Sequence, residues 1–216
     1  MATNITEFSK RVQPHVMGCP KQIVDIAVVD TIIRFCEDTH VMEKAFEHDV
    51  VVADIIAADN DSVSVNIATY LASVRPIIVT EFKIDGAPWG TAYVELLNVQ
   101  DDISEISVPR AKLFTYPDVT HIKFYDIEAV DQRFYIKQVY APTTSITTVD
   151  DLFYARFHKA IEGGALWELM NMPKKDWYDK ERADHYLGDY NNGVAMAVVR
   201  KGFTKGSSRP KSMRFF

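Results

Sequence analysis

The chain has 216 residues, 47% hydrophobic and 12% aromatic, enough to bury one good core or two modules packed together, so disorder throughout is excluded. Its formal net charge of −6 is segregated: residues 200–216 carry six cations and no acid, which leaves 18 basic against 30 acidic residues, or −12, on residues 1–199. A body of that sign repels phosphate at long range and confines any nucleic-acid function to the basic end.

After a short polar arm, CPKQIVDIAVVDTIIRFCEDTHV sets Val24, Val28, Ile32, Phe35 and Cys36 on one helical stripe, with Pro20 suited to the first turn. The spacing predicts a helix from about residue 20 into the forties. Ile23, Ile26, Ala27 and Ile33 widen its apolar surface beyond a simple stripe, so more than one neighbour must cover it.

From residue 49 to 146 the period changes. SVSVNI alternates, PIIVTEFKI runs into Asp85-Gly86, and HIKFYDI and RFYIKQVY are rich in β-branched and aromatic residues, which predicts strands. Asp59-Asn60-Asp61, Asp85-Gly86 and residues 128–131 read as turns, with Asp85-Gly86 the best hairpin signal. Pro76, Pro109, Pro117 and Pro142 fall where strands would begin or end.

The helical period returns in TTVDDLFYARFHKAIEGGALWELMNMP, opened by Thr148 and Asp151 in near capping-box spacing. Its stripe is Phe153, Phe157, Ala160, Ile161, Gly164, Ala165 and Leu169. Glycine inside a helix costs about 1 kcal/mol relative to alanine, so Gly163 and Gly164 imply close approach of another helix. Pro173 stops this helix and Asp179 caps the next, which carries Ala183, Tyr186, Leu187, Tyr190, Val194, Ala197, Val198 and Lys201 at helical spacing and has Gly202 as its expected C′ residue.

Linked by residues 172–178, these two helices form an antiparallel hairpin. The N-terminal helix cannot stand unsupported and is expected to pack on that hairpin. The fold class read from the sequence is α+β: a helical bundle of N-terminal helix plus C-terminal hairpin, an inserted antiparallel β module and an extended C-terminal tail. The divisions are 1–48 for the arm and first helix, 49–146 for the β module, 147–203 for the hairpin and 204–216 for the tail.

Marks of catalysis are sparse. GxxxxGK[ST], GxSxG, HExxH and CxxC are absent, and GFTKGSS has the wrong spacing for a phosphate loop. Cys19 and Cys36 make no disulfide framework and are expected as thiols in a reducing compartment. With His15 and His40 they fit no common zinc spacing, so neither metal nor cofactor is expected. Asp59-Asn60-Asp61, Asp101-Asp102 and Asp150-Asp151 read more simply as turns or helix caps than as acid/base pairs. His158 reads as an interface or solvent residue, Trp89 and Trp167 as core, and Trp177 as packing over the hairpin. Tyr186 and Tyr190 suit either an interface or helix packing. The start MATNITEFSK lacks the plan of a signal peptide, and no apolar run reaches the roughly 18 to 20 residues that span a bilayer, so a protein without membrane partners is expected.

The tail KGFTKGSSRPKSMRFF ends in an apolar pair, which has nothing to do in water but can anchor in a pocket. Its docking candidates are Lys205, Arg209, Lys211, Arg214, Phe215 and Phe216. Candidates for packing between subunits are Ile26, Ile33, Ala160, Gly164, Tyr186 and Tyr190.

Three stretches together resemble the head-to-tail connector, or adaptor and neck, proteins of tailed bacteriophages: HVMGCPKQIVDIAVVDTIIRFCEDTHV at 15–41, FHKAIEGGALWELMNMPKKDW at 157–177, and the closing basic segment through Arg209-Pro210-Lys211 to Arg214-Phe215. They cover about a third of the chain and their joint order carries the resemblance, because the β segment matches only in position and character. The resemblance implies a structural virion protein, made in the host cytoplasm, that forms a ring, commonly of twelve subunits, between the portal protein and tail or nozzle proteins. It implies no catalysis, a C-terminal segment that docks on the portal, and genomic DNA passing without sequence-specific contact. The alternatives are a tail terminator or tube protein, a DNA-binding protein that uses the basic tail, and a cell-wall hydrolase built on paired carboxylates.

Overall fold

The computed structural model describes residues 2–56, 62–66, 69–70, 74–84, 87–88, 94–95, 113–118, 121–125 and 131–205, with backbone only at 81–84, 87–88, 94–95, 113–118 and 202–205. The chain is α+β and divides into two compact units, one made of residues 1–41 and 142–216 and the other of residues 42–141.

In the first unit, β1 (Ala2–Asn4) pairs antiparallel with a strand at Thr148–Asp150, Ala2 opposite Asp150 and Asn4 opposite Thr148. The segment read as a polar arm therefore folds. The Asn4 side chain accepts a hydrogen bond from the Thr6 amide at 2.9 Å, and α1 (Thr6–Val12) follows, burying Phe8 and Val12 completely. Phe8 meets the Tyr154 ring edge-on at 4.8 Å between centroids.

Helix α2 (Lys21–Thr39) buries Val24, Ala27, Val28, Ile32, Phe35 and Cys36, the expected stripe and one flank. It stops short of the forties because His40 turns left-handed (φ 52°), its amide closing on the Cys36 carbonyl at 2.8 Å. The Lys201 ammonium donates to the His40 carbonyl at 2.6 Å, a cation at the negative end of the helix.

Helix α3 (Asp151–Met170) is capped by Asp150, whose side chain accepts from the Leu152 amide at 2.7 Å. Thr148, expected to cap it, is instead held in the strand opposite Asn4. Helix α4 (Lys180–Lys205) opens on Asp179, whose carboxylate accepts from the Arg182 amide at 3.0 Å. It runs through Gly202, which does not end it, since one interior glycine costs too little to stop a long helix.

The seam between α3 and α4 is built on small residues. An added Cβ at Gly163 would lie 2.9 Å from the Tyr186 carbonyl oxygen, and one at Gly164 would lie 2.5 Å from Thr31 Cγ2 of α2 and 2.7 Å from Tyr190 Cδ2. One at Gly193 would overlap the Ala160 Cβ. The order of these meetings makes α3 and α4 antiparallel, and they fix Gly163 and Gly164 as points of close approach. Among the described side chains of α4 the buried positions narrow to Ala183, Tyr190 and Ala197, seven residues apart, while Val198 is 48% exposed.

The second unit holds β2 (Glu43–Val50), β3 (Val63–Asn66), β4 (Val74–Ile84), β5 (Ala87–Pro88), β6 (Val94–Glu95), β7 (Leu113–Asp118), β8 (His121–Phe124) and β9 (Gln132–Pro142), the Thr148–Asp150 strand then being β10. They form two four-stranded sheets, β2-β9-β4-β5 and β3-β8-β7-β6. Strand β2 begins in residues expected to belong with the first helix, because β9 recruits them in eight antiparallel pairs from Glu43 opposite Val139 to Val50 opposite Gln132.

Strands β4 and β5 pair antiparallel on either side of Asp85-Gly86, itself outside the described residues, as are Asp59-Asn60-Asp61 and Pro109. The expected antiparallel module contains one parallel pair, β6 with β7. The β7–β8 register slips between Thr115 and Asp118, where Pro117 has no N–H to give the ladder. Phe46, Val50, Val79, Phe134 and Ile136 from one sheet join Val63, Val65, Ile122 and Phe124 from the other in a single core.

Candidate functional site

The helical unit offers two surfaces that its own packing leaves uncovered. The first is a groove of about 630 Å³ between α3 and α4, bordered by α1. Gly163 and Gly193 let the helices meet closely at its base, and Phe157, Ala160 and Met196 give it an apolar floor. Arg11, Arg156, Lys159 and Arg200 surround that floor together with Glu162 and Asp189, so the groove is net positive on a body that is net negative. Arg11 is held by its Nε–H, which donates to the Tyr154 hydroxyl at 2.9 Å. Arg156 and Lys159 are exposed and have no ion-pair partner among the described residues.

The second surface is on α2. Ile26 is 60% exposed, and Val29 and Ile33, three and seven residues on, are half-buried on the same face. Asp30 lies beside them on the same face, and Arg34, one turn further on, is paired with Glu168 at 2.8 Å, so the apolar ridge has one carboxylate at its edge.

Of the residues proposed to pack between subunits, Ile26 and part of Ile33 face outward and Tyr186 lines the groove. Gly164 and Tyr190 are spent inside the chain, and Ala160, 4% exposed, mostly so, with only an edge left to the groove. Ala160 meets Gly193, Gly164 meets Thr31 and Tyr190, and the Tyr190 hydroxyl donates to Asp38 at 2.7 Å. Burial, reinforced by that hydrogen bond, raises the Tyr190 phenol well above its ordinary value. Lys205 is the last residue of α4, and Arg209, Lys211, Arg214, Phe215 and Phe216 lie outside the described residues, as do Trp89 and Asp101-Asp102.

The groups weighed for chemistry have structural partners. Asp150 caps α3, and Asp151 accepts from the Thr3 hydroxyl at 2.5 Å. His158 stacks on Tyr154 with its Nδ1 3.2 Å from the Tyr154 carbonyl, while His15 lies 3.7 Å from Glu162. Trp167 is half-buried under the Arg34 guanidinium, 5.3 Å away, and Arg34 also reaches Glu168 at 2.8 Å. Trp177 is half-buried as well, its indole nitrogen covered and without a hydrogen-bond partner among the described residues. Cys19 and Cys36 are both buried free thiols, and burial pushes Cys36 up to about 12. Among the described residues no group of three or more His, Cys, Asp or Glu side chains is placed to hold a metal ion, and no helix is long and apolar enough to cross a membrane.

Sequence reasoning missed the cationic border of the groove. Arg156 and Lys159, three residues apart on the face of α3 that also carries Ala160 and Gly163, were the available signal, and Gly193 marked the opposite wall. No protein-family model matches the chain, and no curated protein matches it at a significant level.

Proposed function

We propose that this chain is a structural virion protein, a head-to-tail adaptor that forms a ring between the portal and the tail and surrounds the DNA passage. The observation that carries the reading is the placement of its two main resemblance-bearing stretches. Residues 15–41 and 157–177 come from distant parts of the sequence, yet they contribute α2 and α3 of one helical unit, with residues 42–141 forming a separate unit between them. In the proposed assembly the helices make the ring, as a bundle of α2 with the α3–α4 hairpin, and the β unit faces tail or nozzle proteins.

The partners are the portal protein, tail proteins and further copies of this chain, in a ring of twelve by the same resemblance, and the reading needs no catalysis. Its site of action is the head–tail interface of the virion. The acidic body favours DNA that slides past without being gripped. The basic segment after α4, with Phe215 and Phe216, suits docking on an acidic groove of the portal, the charges steering it and the aromatic pair supplying contact area.

The mass of the purified protein, alone and mixed with its portal, tests the reading by light scattering. A ring, or assembly that depends on the portal, is expected, and deletion of residues 206–216 should leave a folded protein that no longer joins the portal. A monomer that ignores the portal overturns the proposal. A second reading, DNA binding through the tail, rests on Lys205, Arg209, Lys211 and Arg214, which residues 204–216 carry with no acid. It predicts duplex affinity that falls steeply with salt and disappears with the tail.

A further inference from the structure

We infer that the groove between α3 and α4 receives the α2 ridge of a second copy of this chain, in a head-to-tail contact that repeats around the assembly. The inference rests on the ring reading and specifies its interface. The groove offers a floor of Phe157, Met196 and the edge of Ala160 inside a cationic border, and the ridge offers Ile26, Val29 and Ile33 beside Asp30. Apolar meets apolar and opposite charges meet at the border, the arrangement that selects a partner and steers its approach.

The two surfaces cannot satisfy each other within one chain, because no α2 residue lines the groove. Groove and ridge paired twice across a two-fold axis would stop at a dimer, whereas a head-to-tail contact gives each copy two neighbours and closes into a ring when the rotation allows; an assembly larger than a dimer distinguishes the two.

Two other occupants fit less well. The chain's own residues 206–216 carry Arg209, Lys211 and Arg214 with no acid, so they have the same sign as the groove. A nucleic-acid backbone would have to lie against Glu162, Asp189 and an apolar floor.

The test uses two exposed-site variants of the full-length chain. The groove variant is Arg156→Glu with Lys159→Glu, and the ridge variant is Ile26→Asp. Each removes one half of the contact and leaves the other half intact. Sedimentation or light scattering of the wild type should show self-association, alone or on the portal, and each variant by itself should associate at least about tenfold more weakly.

Mixing the two variants should then give one-to-one dimers that grow no further, because only one intact ridge and one intact groove remain. A wild type that assembles together with variants that assemble equally well overturns this interface and leaves the ring reading standing. A wild type that stays monomeric with and without the portal overturns both. If that monomer instead binds a DNA duplex through Arg156 and Lys159, the groove is a phosphate site and the inference is wrong.

Discussion

Replacing Gly193 with alanine tests the seam on which the helical unit is built. The new Cβ would overlap the Ala160 Cβ and lie 3.3 Å from the Ala160 Cα. Ala160 has no rotamer to escape into, so the relief must come from separating α3 and α4. Overpacking of this kind costs about 1 to 3 kcal/mol, and a rigid neighbour argues for the upper end, about 3 kcal/mol. Alanine regains about 1 kcal/mol of helix propensity, which leaves a net loss of about 2 kcal/mol. Followed through the helical circular dichroism signal, that loss lowers the melting temperature by roughly 4 to 8 °C.

Ala160→Gly should cost about 1 kcal/mol alone, yet the double variant Ala160→Gly with Gly193→Ala should return to within about 1 kcal/mol of wild type, because the clash is gone and the propensities exchange. Gly188→Ala is the control. Nothing lies within 4 Å of its added Cβ, so it should stabilise by about 0.5 to 1 kcal/mol. If Gly193→Ala stabilises as much as Gly188→Ala, or the two seam substitutions are simply additive, the close approach is not what holds the helices together.

Lys201→Met removes the cation from the His40 carbonyl at the end of α2 and should cost about 0.5 to 1.5 kcal/mol, measured by urea titration; no change would mean that the left-handed turn at His40 ends the helix unaided. Cys36 should make the protein sensitive to alkali. Its folded value, about 12, lies above the ordinary 9.0, so its contribution is intact below pH 9 and falls by up to about 1.4 kcal/mol per pH unit as pH rises toward 12. Tyr190, also raised, acts in the same direction, and Cys36→Ala should flatten part of the slope; an identical slope in the variant would exclude the thiol. In the β unit, Phe134→Ala empties a fully buried site and should cost about 3 to 5 kcal/mol, read as faster proteolysis within residues 42–141; a cleavage rate equal to wild type would contradict the core assigned to the two sheets.

The α2 and α3 stripes were legible in the sequence because a helix repeats its contacts every three or four residues, so Val24, Val28, Ile32 and Phe35 reveal their common face without reference to anything distant. Gly163 and Gly164 were legible for a related reason, as residues that cost a helix stability unless a neighbour comes close. The arm was misread because Phe8 and Val12 make too short a pattern to predict a helix, and only their burial and the pairing of β1 with β10 give that segment a structure. The ends of elements were also poorly legible. Glu43–Val50 follows a helix without a strong break, and eight pairs with β9, some ninety residues away, decide that it is a strand.

By itself, then, the sequence determined the α+β class, the helices α2, α3 and α4, the strand-rich middle and the charge segregation, all of which depend on composition or on neighbours within a few residues. Only the tertiary structure decided that Gly164 and Tyr190 are used up within the chain, and that Arg11, Arg156, Lys159 and Arg200 border one groove. Those outcomes depend on which faces of separate helices meet. That is set by the joint packing of side chains far apart in sequence, and no local period records it.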